Sequence, residues 1–277
     1  MTERPFPSTP APTPDPEEVK ACCASAYGSD AVALLLGDSY HPGGLTLTRR
    51  LADLLALTAD SRVLDVACGT GATARLLALE HDARVDGVDL GAAALQTARA
   101  TTEEAGLSGR VRFLHGDAER LPVQGAVYDA LVCECALCTF PDKAAAAAEF
   151  ARVLKPGGRV GITDVTVARG GLPDALAGIA GWVACVADAL PADAYAELLR
   201  DAGLRVLRVE AHDGALVRMI DRIDARIRLL AMASPARMAE AGVDAEAVAP
   251  YLAAARRAAD EGNIGYALLV AEKPGRG

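Results

Sequence analysis

Arg62-Val63-Leu64-Asp65-Val66-Ala67-Cys68-Gly69-Thr70-Gly71 is an apolar run that ends on two closely spaced glycines. Thr73–Glu80, just beyond, carries a helical pattern. A strand entering a helix through glycines is the opening unit of a layered α/β chain, because residues without a Cβ let the backbone turn sharply and approach another group closely. Downstream the rhythm repeats, with a strand at Arg84–Asp89, a helix at Gly91–Ala105 and strands at Val111–His115 and Ala130–Cys133. A helix at Lys143–Leu154, the turn Lys155-Pro156-Gly157-Gly158 and a strand at Arg159–Thr163 follow. Strands this apolar suit a sheet covered by helices on both faces, so the fold expected is α/β and Rossmann-like.

Upstream, Pro16–Leu36 reads as one helix, with Asp15 as cap, Pro16 in its first turn and Glu17 and Glu18 at the positive end of its dipole. The turn Gly37–Gly44 leads to a helix over Leu45–Leu57. After a helix at Ala192–Ala202 come strands at Arg205–Ala211 and Ile264–Glu272, separated by a stretch rich in Arg, Ala, Leu and Met that reads as inserted helices. The organisation expected is a disordered proline-rich leader over 1–15, an N-terminal helical lid over 16–60 and a core over 61–212. A helical insertion over 213–263 and a last core strand with its tail over 264–277 complete it.

At 277 residues, with 52% hydrophobic and 23% charged residues, the chain can fill one main core and an added subdomain. No apolar run is long enough to span a bilayer, and the proline-rich start lacks the apolar stretch of a secretory signal. A formal charge of −9 with scattered arginines disfavours a phosphate backbone, so a small-molecule partner is expected and nucleic acid is not. Seven cysteines, an odd number, suggest reduced thiols in a cytoplasmic protein.

Acids follow three successive strands: Asp65 ahead of the glycines, Asp89 about 20 residues past them, and Asp117 after the third strand. They would line the rim where open α/β sheets bind ligands, with Asp89 placed for a ribose diol. The glycine spacing lacks the G-x-G-x-x-G pattern of nicotinamide-binding sheets. With Tyr128-Asp129-Ala130 and Leu154-Lys155-Pro156-Gly157-Gly158, these pieces resemble the class I S-adenosylmethionine-dependent methyltransferases over about Leu51–Lys273. The resemblance implies S-adenosylmethionine as cofactor. It assigns the methionine moiety to Gly69 and Gly71, the ribose hydroxyls to Asp89, and adenine to Asp117 and Ala118, with Asp65, Leu90 and Cys133 completing the cofactor set.

Cys133, Cys135 and Cys138 end the fourth strand and run beyond it, and Cys185 follows after the fifth. Cys135 and Cys185, in their flanking sequences, resemble the paired cysteines of the arsenite methyltransferases, and Cys22-Cys23 resembles the cysteines that precede the core there. The resemblance implies trivalent arsenic as acceptor, held by Cys135 and Cys185 with Cys22 and Cys23 as further candidates, and a thiol reductant as partner; Cys138, where that family usually has an asparagine, is a further catalytic candidate beside them. Soft thiolates suit a soft centre whose lone pair attacks the sulfonium methyl without a base. Glu134, between two of the thiols, opposes thiolate formation unless its side chain points away. Two alternatives stand beside this reading. One is a methyltransferase for an oxygen, nitrogen or carbon of a secondary metabolite, with His41 as candidate base. The other is a metalloid-binding or redox-sensing protein on an inert cofactor fold.

Overall fold

The structure is a computed structural model that describes residues 15–37, 40–172, 176 and 186–275. Cys185, Trp182 and the leader 1–14 lie outside the described residues. The strands are β1 (Arg62–Val66), β2 (Arg84–Asp89), β3 (Val111–His115), β4 (Tyr128–Glu134), β5 (Leu154–Val167), β6 (Arg205–Ala211) and β7 (Ile264–Glu272). They form one 7-stranded sheet in the order β3-β2-β1-β4-β5-β7-β6. β1 pairs in parallel with β2 and β4, and the reversal of strand order falls between β1 and β4. Only β7 runs antiparallel to its neighbours, β5 and β6.

β5 continues past the expected end at Thr163 to Val167, because β7 supplies partners for the extra residues, Thr166 opposite Gly265 and Val167 opposite Ile264. β7 itself is almost wholly buried, as a strand with a neighbour on each side and layers on both faces should be.

The helices described are α1 (Pro16–Tyr27), α2 (Asp30–Leu36), α3 (Gly44–Leu55), α4 (Ala72–His81), α5 (Ala92–Glu104), α6 (Lys143–Val153), α7 (Ala192–Asp201), α8 (Asp213–Ala233), α9 (Pro235–Glu240) and α10 (Ala245–Asp260). α3, α4 and α5 cover one face of the sheet through Leu51, Leu77 and Leu95, joined by Ile220 of α8 and Ala258 of α10. α6 and α7 cover the other through Phe150 and Tyr195.

The single helix expected over Pro16–Leu36 is two. Gly28 ends α1, and the Ser29 hydroxyl accepts a hydrogen bond from Val32 N at 3.3 Å to start α2, so a good N-cap residue wins over helical continuity. α2 packs against α8, which joins the N-terminal helices to the inserted ones.

Candidate active site

The loops leaving β1 and β4 diverge at the point where strand order reverses, and a cleft opens between them, as such sheets provide. The cleft and the solvent space at its open mouth together span about 1250 Å³. Residues after β1, β2 and β3 line one half of it, namely Asp65, Gly69, Asp89, Leu90, Asp117 and Ala118. The β4 side contributes Glu134, Cys135, Thr139 and Phe140, and the N-terminal segments add Lys20, Cys23, Tyr27, Tyr40 and His41.

The glycine loop is built by backbone chemistry. Gly69 sits at φ +51° with nothing within 4 Å of where a Cβ would stand, so its backbone faces open space. Gly71 does not line the cleft. At φ +77° it turns the chain into α4, and a Cβ there would stand 2.6 Å from the Phe113 ring of β3, so its smallness serves packing. Ala67 also takes a left-handed φ, of 56°.

Asp89 ties this loop together: its Oδ2 accepts from Gly69 N at 2.8 Å and its Oδ1 from Gly91 N at 2.6 Å. Burial raises its pKa. Asp65 is 3% exposed, and its Oδ2 is buried with no hydrogen-bond partner. Burial, reinforced by the charges of Glu134 and Asp89, pushes the Asp65 carboxyl well above the usual carboxylate range. Such an orphan acceptor, in a site rich in carboxylates, awaits a donor.

Asp117 faces the cleft from beyond β3 and accepts from Lys20 Nζ at 2.8 Å, while Glu119 pairs with the same ammonium at 2.6 Å. Burial pulls the Lys20 pKa down, but hydrogen bonds to Asp117, Glu119 and Glu17 outweigh it and hold the group above its ordinary value. Lys20, Cys23, Ala24 and Tyr27 share one face of α1, spaced i, i+3, i+4 and i+7, and that face lies on the cleft.

The thiols divide. Cys23, Cys68 and Cys135 line the cleft, whereas Cys22 is exposed outside it. Cys133 points into the core on the α6 and α7 side, because strand alternation turns Glu134 toward the cleft instead. Cys138 is 1% exposed in a 3-10 turn, where its amide donates to Asp164 Oδ2 at 3.0 Å, and it does not line the cleft. Burial raises the Cys68 and Cys133 thiols well above their usual range, which disfavours thiolates. Cys135 follows β4 at φ +55°, with its amide donating to Thr163 O at 2.6 Å. Among the described residues, no group of three or more His, Cys, Asp or Glu side chains is arranged to hold a metal ion.

Glu134 is where sequence reasoning falls shortest. Read as an impediment to its neighbouring thiols, it instead anchors a polar cluster in the cleft wall. Thr73 Oγ1 donates to its Oε2 at 2.6 Å, Thr48 Oγ1 lies 3.1 and 3.2 Å from its two oxygens, and His41 Nε2 lies 3.7 Å from Oε2. His41 was singled out by sequence and is buried, 8% exposed, rather than a solvated turn residue. Nothing in the sequence pairs it with a residue 93 positions away. The face of α1 carrying Lys20 could have been found from its helical spacing, given a target for it to cover.

Residues 63–158 match the family described as "Methyltransferase domain". Over 281 aligned residues the chain is 30% identical to 27-O-demethylrifamycin SV methyltransferase of Amycolatopsis mediterranei (strain S699), covering 94% of this chain and 98% of that one. The chain belongs to the class I S-adenosylmethionine-dependent methyltransferases. This methyltransferase is also 32% identical over 163 residues to an O-methyltransferase of Pyrenophora dematioidea, a match that spans 58% of this chain and 60% of that one. Its fold superposes on the crystal structure of the [4+2]-cyclase SpnF with a TM-score of 0.75 at 26% identity, covering 97% of this chain and 100% of that one. The same architecture therefore hosts more than one chemistry, and the acceptor must be argued from the cleft.

Proposed function

We propose that this methyltransferase transfers the S-adenosylmethionine methyl group to a hydroxyl oxygen of a small, largely apolar secondary metabolite. The observation that carries the reading is the make-up of the β4 side of the cleft. There a buried polar cluster of His41, Glu134, Thr48 and Thr73 stands beside Tyr27, Tyr40, Ala136 and Phe140. An organic acceptor buries apolar surface against such walls and needs a polar group to orient its nucleophile. The O-methyltransferase names of two of its relatives agree with this choice.

Trivalent arsenic fits less well. Of the thiols expected to serve it, Cys22 and Cys138 lie off the cleft, and although Cys23 and Cys135 line it, a carboxylate beside Cys135 opposes the thiolate that arsenic binding needs.

The cofactor half of the cleft fits its ligand. The unpartnered Asp65 Oδ2 suits the cofactor's ammonium, the open backbone at Gly69 admits its methionine part, Asp89 with Leu90 suits the ribose, and Asp117 with Ala118 suits the adenine. When bound, the cofactor supplies an electrophilic methyl carbon on a sulfonium. α1 would act as a lid over this half, with Lys20 as its latch. Incubation of the protein with methyl-labelled cofactor and separate panels of hydroxylated polyketides and phenols, amines, thiols and arsenite tests the reading. A labelled methyl ether is expected; label only in methylated arsenic or in a thioether overturns it.

A further inference from the structure

His41 is held more firmly than a surface turn requires. Gly43 and Gly44, at φ +85° and +53°, bend the chain into α3, and Gly44 N donates back to His41 O at 3.2 Å. A Cβ on Gly43 would stand 2.7 Å from Leu47 Cβ, so the Pro42-Gly43-Gly44 turn is pressed against the helix it starts. The imidazole this turn presents lines the cleft.

Its two nitrogens face different groups. Nδ1 lies 3.4 Å from Pro42 O, a carbonyl that can only accept, and a neutral ring with its proton on Nδ1 would leave the Nε2 lone pair to take a substrate proton. Nε2 lies 3.4 Å from Thr48 Oγ1 and 3.7 Å from Glu134 Oε2. The second separation is too long for a hydrogen bond, so Nε2 is not committed to the carboxylate. Once protonated, Nε2 would find an acceptor in Thr48 Oγ1, whose own hydrogen is turned toward Glu134.

We propose that His41 is the general base of the reaction, with Glu134, bound by Thr48 and Thr73, as the residue that positions it. The inference rests on the oxygen-acceptor reading above. As an acceptor oxygen forms its bond to the methyl carbon, its O–H proton passes to His41 Nε2, and the electron pair of the broken S–CH3 bond stays on sulfur, leaving a neutral thioether. The proton then leaves the imidazolium for water on product release. An alcohol gains most from such a base. An acceptor already ionised at the assay pH gains little, and a soft thiophilic acceptor needs none.

The test compares wild type with His41→Asn and Glu134→Gln on oxygen acceptors of graded acidity. Calorimetry with S-adenosylhomocysteine and ¹⁵N NMR of the labelled histidines serve as readouts that do not depend on turnover. Expected for His41→Asn are a kcat about 100-fold lower or more on alcohols, recovery toward wild type on acidic phenols, and unchanged product affinity. Glu134→Gln should lower kcat while leaving the acceptor KM in place, and wild-type His41 should show the Nδ1–H tautomer. A wild-type kcat for His41→Asn on alcohols, the same loss on ionised and un-ionised acceptors, or an Nε2–H tautomer overturns the base role while the oxygen-acceptor reading stands. If wild type methylates no oxygen at all, that reading falls and the base role falls with it.

Discussion

Asp65 is placed where its charge works against the folded protein. Its folded pKa is raised by burial and by Glu134 and Asp89, so folding prefers the protonated form. The stability this group contributes is full below the ordinary carboxylate range and is lost as pH rises through the raised folded value. Replacing the carboxylate with an amide, Asp65→Asn, should therefore stabilise the ligand-free protein by about 1 kcal/mol or more at neutral pH. The gain should shrink toward zero below about pH 3, where both states are protonated. The same change removes the anion proposed to meet the cofactor's ammonium, so S-adenosylhomocysteine should bind at least tenfold more weakly. Thermal melts across pH together with calorimetry check both halves, and a variant that loses stability at pH 7 would contradict the account. Strand-end acids at 65, 89 and 117 are visible in the sequence because strand and turn are local patterns; that Asp65 Oδ2 lacks a partner is not, because a missing hydrogen bond is a property of everything around it.

α1 shows how an element can take on work its sequence only hints at. Its start is written locally, in Asp15 accepting from Glu17 N at 2.9 Å and in Pro16 at the first turn. Its place over the cleft depends on Lys20 reaching Asp117 and Glu119, residues from the far side of β3. If Lys20 latches the helix over the cofactor, Lys20→Met should weaken S-adenosylhomocysteine binding about fivefold, equivalent to ~1 kcal/mol. Product release should accelerate by a similar factor while the rate of a single turnover is spared. Stopped-flow release kinetics would reveal it; unchanged release would make the ion pair a fixture of folding alone. The break between α1 and α2 teaches the converse. Gly28-Ser29 is a recognisable stop and start, and averaging hydrophobicity over the whole segment hides it.

Across the whole molecule, the carboxylates gathered in the cleft and a formal charge of −9 suit a cationic cofactor and discourage polyanions. If the ligand binds in the proposed cleft, where the β1, β2 and β3 loops, the β4 loop and α1 converge, its binding should be coupled to global folding. S-adenosylhomocysteine at about 100 times its Kd should add ~2.7 kcal/mol, which for a chain of this size is a rise in melting temperature of roughly 5–10 °C. Scanning calorimetry measures it directly, and a rise confined to a minor early transition would show that the site folds independently of the sheet.

By itself the sequence determined the alternation of strands and helices, the glycine loop after β1, the acids at the strand ends and the methyltransferase class. These are patterns of short range, fixed by backbone freedom and by the side-chain periods of strand and helix. The antiparallel entry of β7 between β5 and β6, the removal of Cys133 and Cys138 from the cleft, and the meeting of His41 with Glu134 were decided only by the tertiary structure. Each depends on which face of a strand is turned inward and on which distant segments close over it, and no local pattern records either. Thus the glycine loop and strand-end acids that line one half of the cleft could be read along the chain, whereas the proposal of an oxygen acceptor over a thiol site rests on packing.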